Sequence, residues 1–443
     1  MASDQDKLKR LLASVIAAAK KLAPGSEIRA SLESGRAANT RFAKGGITST
    51  GEVAESTLTI ALAFGRRHAH AVTNQLDLRS IDEAIVRVRG MAQIAPEDPE
   101  YLPPLGPQKY LIVSGAYDPA VDKLDAAARA DASKTTLAAA KTAEVNIAGF
   151  VQHRTGALTL ANSAGLAAYH LETTTEFTAT ARTLDGTGSG WGGVWGNRWR
   201  DIDIDVVASV AIDKAVRSQK ARELAPGRYT VVLEPAAVAG LLWFLTSSLD
   251  ARRADEGRSF FAKAGGGTKL GERLFGEHVT LRSDPTMAET PGAPFDSEGL
   301  PIRPITWIDH GKLAALAYNR YWAAKQGKTP TGAPSGYALG GGRGSEADLL
   351  AGVKRGVLIT RFWYTRWLDP QTAMVTGLTR DGVFLIENGA VTAPVNNFRF
   401  NESPVNMLKN TDVLTRQTAR IDDMRVPGLR THEFNLASIS QAV

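Results

Sequence analysis

The chain has 443 residues, 43% of them hydrophobic and 22% charged, a balance that excludes a disordered polymer and leaves room for two domains. It contains no cysteine, which excludes disulfides, thiolate nucleophiles and every cysteine-bearing zinc site. Its 52 basic and 46 acidic residues leave a net charge of +6, scattered as pairs such as Lys20-Lys21, Arg66-Arg67 and Arg252-Arg253 and lacking the clustered basic face of a nucleic-acid binder.

The start, Met1 to Lys7, is followed by no apolar run of secretory type. No window approaches the roughly 20 apolar residues of a bilayer span. A cytoplasmic location is expected. Ser3 and Asp6 suggest a capping box, and Leu8, Leu11, Leu12, Val15, Ile16, Ala19 and Leu22 recur at helical spacing until Pro24-Gly25. Extended pieces follow at 28–32 and 40–43, with Gly45-Gly46 as a turn. Strands 56–63 and 68–73 around Phe64-Gly65-Arg66-Arg67 read as a hairpin. Ser80 with Glu83 opens a helix whose buried stripe is Ile81, Ile85 and Val88, and a proline-rich loop covers 96–107. An alanine-rich helix is expected over 119–143, with Pro119 where its missing N–H costs nothing.

Strand patterns at 145–150, 158–163 and 173–182 suggest antiparallel pairing with one solvated face. A loop over 186–200 then leads to a helix over 203–219 that turns Val206, Val207, Val210 and Val216 to one side. These elements describe an α+β fold, a mixed α/β layer domain over residues 1–224. The second domain, 225–443, opens with a strand from Tyr229 to Leu233 and an apolar helix from Ala236 to Leu249. A flexible glycine stretch, Gly265-Gly266-Gly267, comes next. Beyond Thr280 strands dominate: 305–309 joins 313–316 through His310-Gly311, 356–365 is strongly β-prone, and 383–387 pairs with 390–392 across Asn388-Gly389. The expected form is a curled, β-barrel-like domain.

Several stretches invite a chemical reading. His68 and His70 could put two imidazoles on one strand face, but no third ligand is near in sequence, and a half-exposed hairpin strand explains them. His432-Glu433 begins like a zinc motif, yet Ala437 stands where a second histidine is needed. Gly340 to Ser345 lacks the Lys-Ser/Thr ending of a phosphate loop and reads as a plain flexible loop. Glycines surround Trp191, Trp195 and Trp199, giving either a mobile aromatic loop that grips a peptide or partner subunit or a turn whose rings cap the domain junction. Arg361 to Trp367 is an aromatic strand, with core packing expected on one face and an interface contribution on the other.

Taken in order, six segments resemble the TldD/TldE family, also known as PmbA or modulator of DNA gyrase. They are Asn39-Thr40-Arg41-Phe42-Ala43 with Ile47-Thr48; Ala161-Asn162-Ser163-Ala164-Gly165-Leu166; Gly188-Ser189-Gly190-Trp191; Pro294-Phe295-Asp296-Ser297-Glu298-Gly299; Tyr318-Asn319-Arg320-Tyr321; and Ile386-Glu387-Asn388-Gly389 with Pro394-Val395. The resemblance implies an intracellular metalloprotease system in which a zinc-bearing and a zinc-free member pair. Its enclosed active site would admit unfolded peptides as extended strands. The zinc-bearing branch carries His-Glu-x-x-x-His on the helix after the strand at Tyr229 to Leu233, plus a cysteine near the C-terminus. Two imidazoles and a thiolate hold the ion, and the glutamate takes a proton from bound water.

The corresponding positions here are Trp243, Phe244 and Ser248, none of which can serve. The resemblance therefore implies a TldE-like member with no catalytic residue, metal or cofactor of its own. Zinc is expected in a TldD-like partner, and the substrate is an unfolded peptide. The alternative is a stand-alone structural or peptide-binding homodimer. A third reading, modulation of gyrase or DNA, follows the family's older name and finds little support in the diffuse charge. Neither nucleic acid nor membrane is expected as a partner.

Overall fold

A computed structural model describes residues 2–440. The first layer is a six-stranded antiparallel sheet of order β3-β2-β1-β4-β5-β6, made of β1 (Glu27–Ala43), β2 (Gly46–Phe64), β3 (Arg67–Thr73), β4 (Val145–Asn162), β5 (Ala167–Thr183) and β6 (Ser189–Gly196). Lys44 and Gly45, both at positive φ, form the two-residue turn that suits the twist of a hairpin. Five helices accompany this sheet: α1 (Ala2–Leu22), α2 (Leu78–Ile94), α3 (Pro119–Asp122), α4 (Ala126–Thr142) and α5 (Ile204–Arg217). Leu12, Val15 and Ala19 of α1 and Ile81, Ile85 and Val88 of α2 close over Ile28, Leu32, Leu58 and Ile60. Val207, Ala211 and Ala215 of α5 close over Phe177, Ala179 and Ala181.

Several local expectations shift once strands find neighbours. β1 runs unbroken through Glu33 to Ala37 because it is paired on both sides, with β2 and with β4. β4 likewise joins two expected strands into one, and Gly35 sits opposite Gly156 at their crossing. Weak β-formers are carried by cross-strand partners here, as context outweighs propensity in sheets. α1 is already helical at Ala2, ahead of the expected start at Ser3. The cap of α2 is Asp77, whose side chain accepts from the Ser80 N–H at 3.0 Å, so Ser80 lies inside the helix. The single helix expected over 119–143 is two, because Asp125 accepts from the Ala128 N–H and starts α4 afresh.

Two corrections concern the end of this layer. Residues 186–200 do not form a long loop: β6 pairs with β5 from Ser189 to Gly196, and a 3-10 turn follows at Trp199–Asp201. α5 buries Val207, Ala208, Ala211 and Ala215, leaving Val206, Val210 and Val216 exposed. The cause is a close approach of helix to strand. A Cβ on Gly188, Gly190 or Gly192 would lie 2.1 Å from Ala215 O, 2.2 Å from Ala211 O or 2.5 Å from Val207 O, so the helix turns its alanines, with Val207, toward these glycines.

A buried polar pair ties α4 to the sheet. Arg129 and His153 are each 2% exposed, and Arg129 Nη1 lies 2.8 Å from His153 Nε2. Burial, then the neighbouring guanidinium, pushes the His153 imidazole down to about 4 from 6.5, so the ring is neutral and accepts from Arg129. Its folded value is depressed, so its contribution is complete above the unfolded value of about 6.5. The loss as pH falls toward 4 is roughly 3 kcal/mol at most. Urea titrations across this window should show stability falling with pH, and His153→Gln should flatten that slope. Identical slopes in both proteins would refute the assignment.

The second half is built from β7 (Gly227–Leu233), α6 (Pro235–Ser247), α7 (Ala251–Asp255), β8 (Thr280–Ser283), β9 (Ile305–Asp309), β10 (Lys312–Leu313), α8 (Arg320–Gln326) and β11 (Tyr337–Gly340). It continues with α9 (Glu346–Leu350), β12 (Arg355–Asp369), β13 (Met374–Glu387), β14 (Ala390–Pro394), β15 (Asn397–Glu402), α10 (Pro404–Lys409), β16 (Thr411–Ile421) and β17 (Met424–Ser440). β7 pairs with both β12 and β17, so the path β17-β15-β13-β12-β7 returns to its start. The hairpin at Asn388-Gly389 and the turn at His310-Gly311 form as expected, all four residues at positive φ. The short helices α7 to α10 each open on a capping side chain, Asp250, Asn319, Ser345 and Ser403, but are too short to show a helical period. Among the described residues, no helix is long and apolar enough to cross a membrane.

Candidate functional site

Helix α6 begins where Pro235 follows Glu234, a first-turn position that needs no N–H. It is anchored to the first layer by Lys214 of α5, whose Nζ lies 2.6 Å from Glu234 Oε2. The helix is apolar on all sides and buries Leu241, Leu242, Phe244 and Leu245 in the main core of the second half. Trp243 is the exception, at 55% exposed. Phe244 is wedged between rings, 5.0 Å from Trp243 and 4.9 Å from Trp367 of β12, both edge-on. Ser248 is buried and donates its hydroxyl to the Phe244 carbonyl at 2.8 Å. An indole, a phenyl ring and a hydroxyl turned onto the backbone do not fit a zinc ion.

Two of the histidines singled out in the sequence, His68 and His432, hold other partners. His68 Nε2 lies 2.9 Å from Asp98 and the ring stacks on Tyr101, while His70 is exposed. His432 touches Thr230 and Asp412 at 3.0 Å each. Among the described residues there is no group of three or more His, Asp or Glu side chains placed to hold a metal.

The three candidate tryptophans part company. Trp191 and Trp195 project from β6, with ring centroids 6.0 Å apart, whereas Trp199 packs against the core under α5. Arg361 of β12 lies over the Trp191 ring at 4.7 Å and over Trp363 at 5.0 Å, and Arg380 covers Trp363 at 5.0 Å. Asp381, 2% exposed, lies 3.5 Å from Arg361 and accepts from Ser189 at 2.5 Å. Burial lowers the Arg361 value and Asp381 opposes that shift. The guanidinium thus joins β6 to the second sheet. On the outer side Trp363, Tyr364 and Leu368 are exposed near Trp367, whereas Phe362 faces inward against Phe400 and Phe434.

Segments far apart in sequence meet at the seam between the halves. Glu298 lies 3.1 Å from Arg29 and 3.4 Å from Arg320. The Tyr110 hydroxyl donates to the Gly299 carbonyl, and Arg252 grips Glu100 through two bonds of 2.7 Å. Leu166 packs with Phe295 across the seam, and within the first half the neighbouring Ser163 exchanges hydrogen bonds with Ile28. Three of the six segments singled out in the sequence therefore hold the molecule together at this seam.

A cleft of about 1200 Å³ opens between α5, α9 and β16, unmarked by any sequence motif. Its one legible sign is Gly340 to Ser345, and that stretch is not a slack loop. A Cβ on Gly341 would meet His278 O at 1.9 Å and one on Gly342 would meet Thr415 O at 2.3 Å, so these glycines let backbones touch and fix the wall beside β16.

The chain matches the family model of the PmbA/TldA metallopeptidase C-terminal domain over residues 226–438 and that of the central domain over residues 117–219. A protein of Methanothermobacter thermautotrophicus named "Metalloprotease" is 31% identical over 134 residues, 29% of this chain and 28% of that protein. An uncharacterised protein of Methanocaldococcus jannaschii is 28% identical over 138 residues, 30% of this chain and 32% of that one. The aligned stretch thus spans about a third or less of either relative. In fold, TldE of Thermococcus kodakarensis superposes with a TM-score of 0.86 at 17% identity, over 97% of this chain and 100% of that one. A Thermotoga maritima protein assigned as a modulator of DNA gyrase also gives 0.86, at 18% identity over 97% and 99% of the two chains.

Proposed function

As the chain belongs to the PmbA/TldD family of metallopeptidase-like proteins, we propose that it is the zinc-free, TldE-like subunit of a cytoplasmic heterodimeric peptidase. A TldD-type partner supplies the zinc, and unfolded peptides are the substrate. The observation that carries this reading is the state of α6. At the motif positions stand Trp243, Phe244 and Ser248, with Phe244 packed against Trp367 in the core. The helix keeps its place in the fold while its residues offer no ligand and no base. The domains of this subunit are residues 1–224 and 225–443. Trp243 and Tyr364 each expose a ring that a partner would cover, since exposed aromatic side chains are favoured at protein contacts.

The test is reconstitution with a homologue that carries His-Glu-x-x-x-His. Metal analysis of this chain alone should find no stoichiometric zinc. The mixture should cleave an unfolded polypeptide, and chelation should stop it. Stoichiometric zinc in the isolated chain would overturn the proposal, as would equal activity of the homologue with this chain left out.

A further inference from the structure

The first sheet ends on a strand that its neighbour covers only in part. β3 pairs with β2 from Leu58 to Phe64 and no further. Nearer the hairpin turn Thr48 is a bulge, since Arg41 faces Ser49 while Phe42 faces Ile47. Between these limits Ser49 to Thr57 pairs with β1 in unbroken register. Its outer side has no backbone partner among the described residues. Residues 47–55 are exposed without interruption, so neither face of the strand is buried there. An unpaired edge is a template for a second strand, and folds blunt it with lysine, proline or a bulge. Ser49 to Thr57 contains neither lysine nor proline, and the bulge lies outside it.

The stretch is complementary to itself. Antiparallel pairing about a two-fold axis at Val53 sets Ser49 opposite Thr57, Thr50 opposite Ser56, Gly51 opposite Glu55 and Glu52 opposite Ala54. Val53, 49% exposed, then meets its own copy. No charge directly faces a like charge, Glu52 is already held by Arg36 at 3.2 Å, and hydroxyls face hydroxyls, a favourable cross-strand pairing. Moved one residue either way, the axis would set Glu52 against itself or Val53 against Glu55. We propose that a second copy of this chain pairs with β2 in this register, joining two six-stranded sheets into one. A strand pair of this length makes a small interface, so the dimer is weak and concentration-dependent. The contact lies in the first half and leaves α6 with its exposed Trp243 free. It neither needs nor excludes a zinc-bearing partner, so its failure would leave the subunit role proposed above standing.

Sedimentation velocity of the isolated chain, over a concentration series reaching about 200 µM, should show a monomer giving way to a dimer. Because the chain has no cysteine, Val53→Cys places a single thiol opposite its copy. The Cα separation of about 4.5–5.5 Å in antiparallel pairs suits a disulfide, and mild oxidation should link the two chains. Glu55→Cys lies on the same face but roughly 13 Å from its copy, four residues along the pair, and should stay unlinked. Val53→Lys and Val53→Glu each oppose themselves and should weaken self-association about fivefold or more. An equimolar mixture of those two should restore it. Val53 is exposed, so its variants should keep the wild-type melting temperature. A wild type monomeric throughout, equal linking of the two cysteine variants, or a mixture no tighter than either charged variant alone would overturn the pairing.

Discussion

Gly190→Ala is expected to destabilise the protein by about 3 kcal/mol or more, the upper end of what overpacking costs. The added Cβ would lie 2.2 Å from Ala211 O and 2.4 Å from Ala215 N. Both are backbone atoms of α5, so relief requires the whole helix to move off the sheet. The same holds at Gly188 and Gly192, which face Ala215 O and Val207 O, so the helix cannot pivot about one contact. Gly46→Ala is the matched control: nothing lies within 4 Å of its Cβ and its φ is not positive. That change should stay within about 0.5 kcal/mol, as surface substitutions do. Urea titration of the three proteins decides it, and equal midpoints for the Gly190 and Gly46 variants would refute the packing argument. The glycine stripe also explains why α5 leaves Val210 on the side of the cleft.

The second large effect concerns α6. Writing a His-Glu-x-x-x-His motif into this stretch, as Trp243→His, Phe244→Glu and Ser248→His, is expected to cost the fold well before it yields a site. Phe244→Glu alone should destabilise by about 4 kcal/mol or more, since removing a buried phenyl costs about 3–5 kcal/mol and the carboxylate must then be desolvated. Phe244 is 5% exposed and its ring meets Trp367 at 4.9 Å. Trp243→His sits at an exposed position and should cost about 1 kcal/mol or less, the worth of the edge-on aromatic contact. Chemical denaturation of the single variants, with metal analysis of the triple variant, tests this. A triple variant of wild-type stability that binds zinc stoichiometrically would show that α6 had kept a latent site.

Features that live within a few residues were legible in the chain itself. Asn388-Gly389 adopts positive φ wherever it sits, so its hairpin could be read directly, and the stripe of Ile81, Ile85 and Val88 marked the buried face of α2. The same reasoning failed on α5, where counting valines chose the wrong face. It also failed at 186–200, where glycines that read as a loop make room for a helix against a strand.

What the sequence determined alone was chemical: without cysteine, no arrangement of this chain supplies a disulfide or a thiolate zinc ligand. Caps and tight turns belong to the same class, because a side chain carries its donors, acceptors and φ preferences into any fold. The tertiary structure decided everything that depends on what lies opposite. It merged 28–43 and 145–162 into single strands, stacked Arg361 between Trp191 and Trp363, drew Arg29 and Arg320 onto Glu298, and opened the cleft beside β16. The physical reason is that burial and cross-strand pairing are properties of two surfaces at once, and one surface was all that any local stretch could reveal.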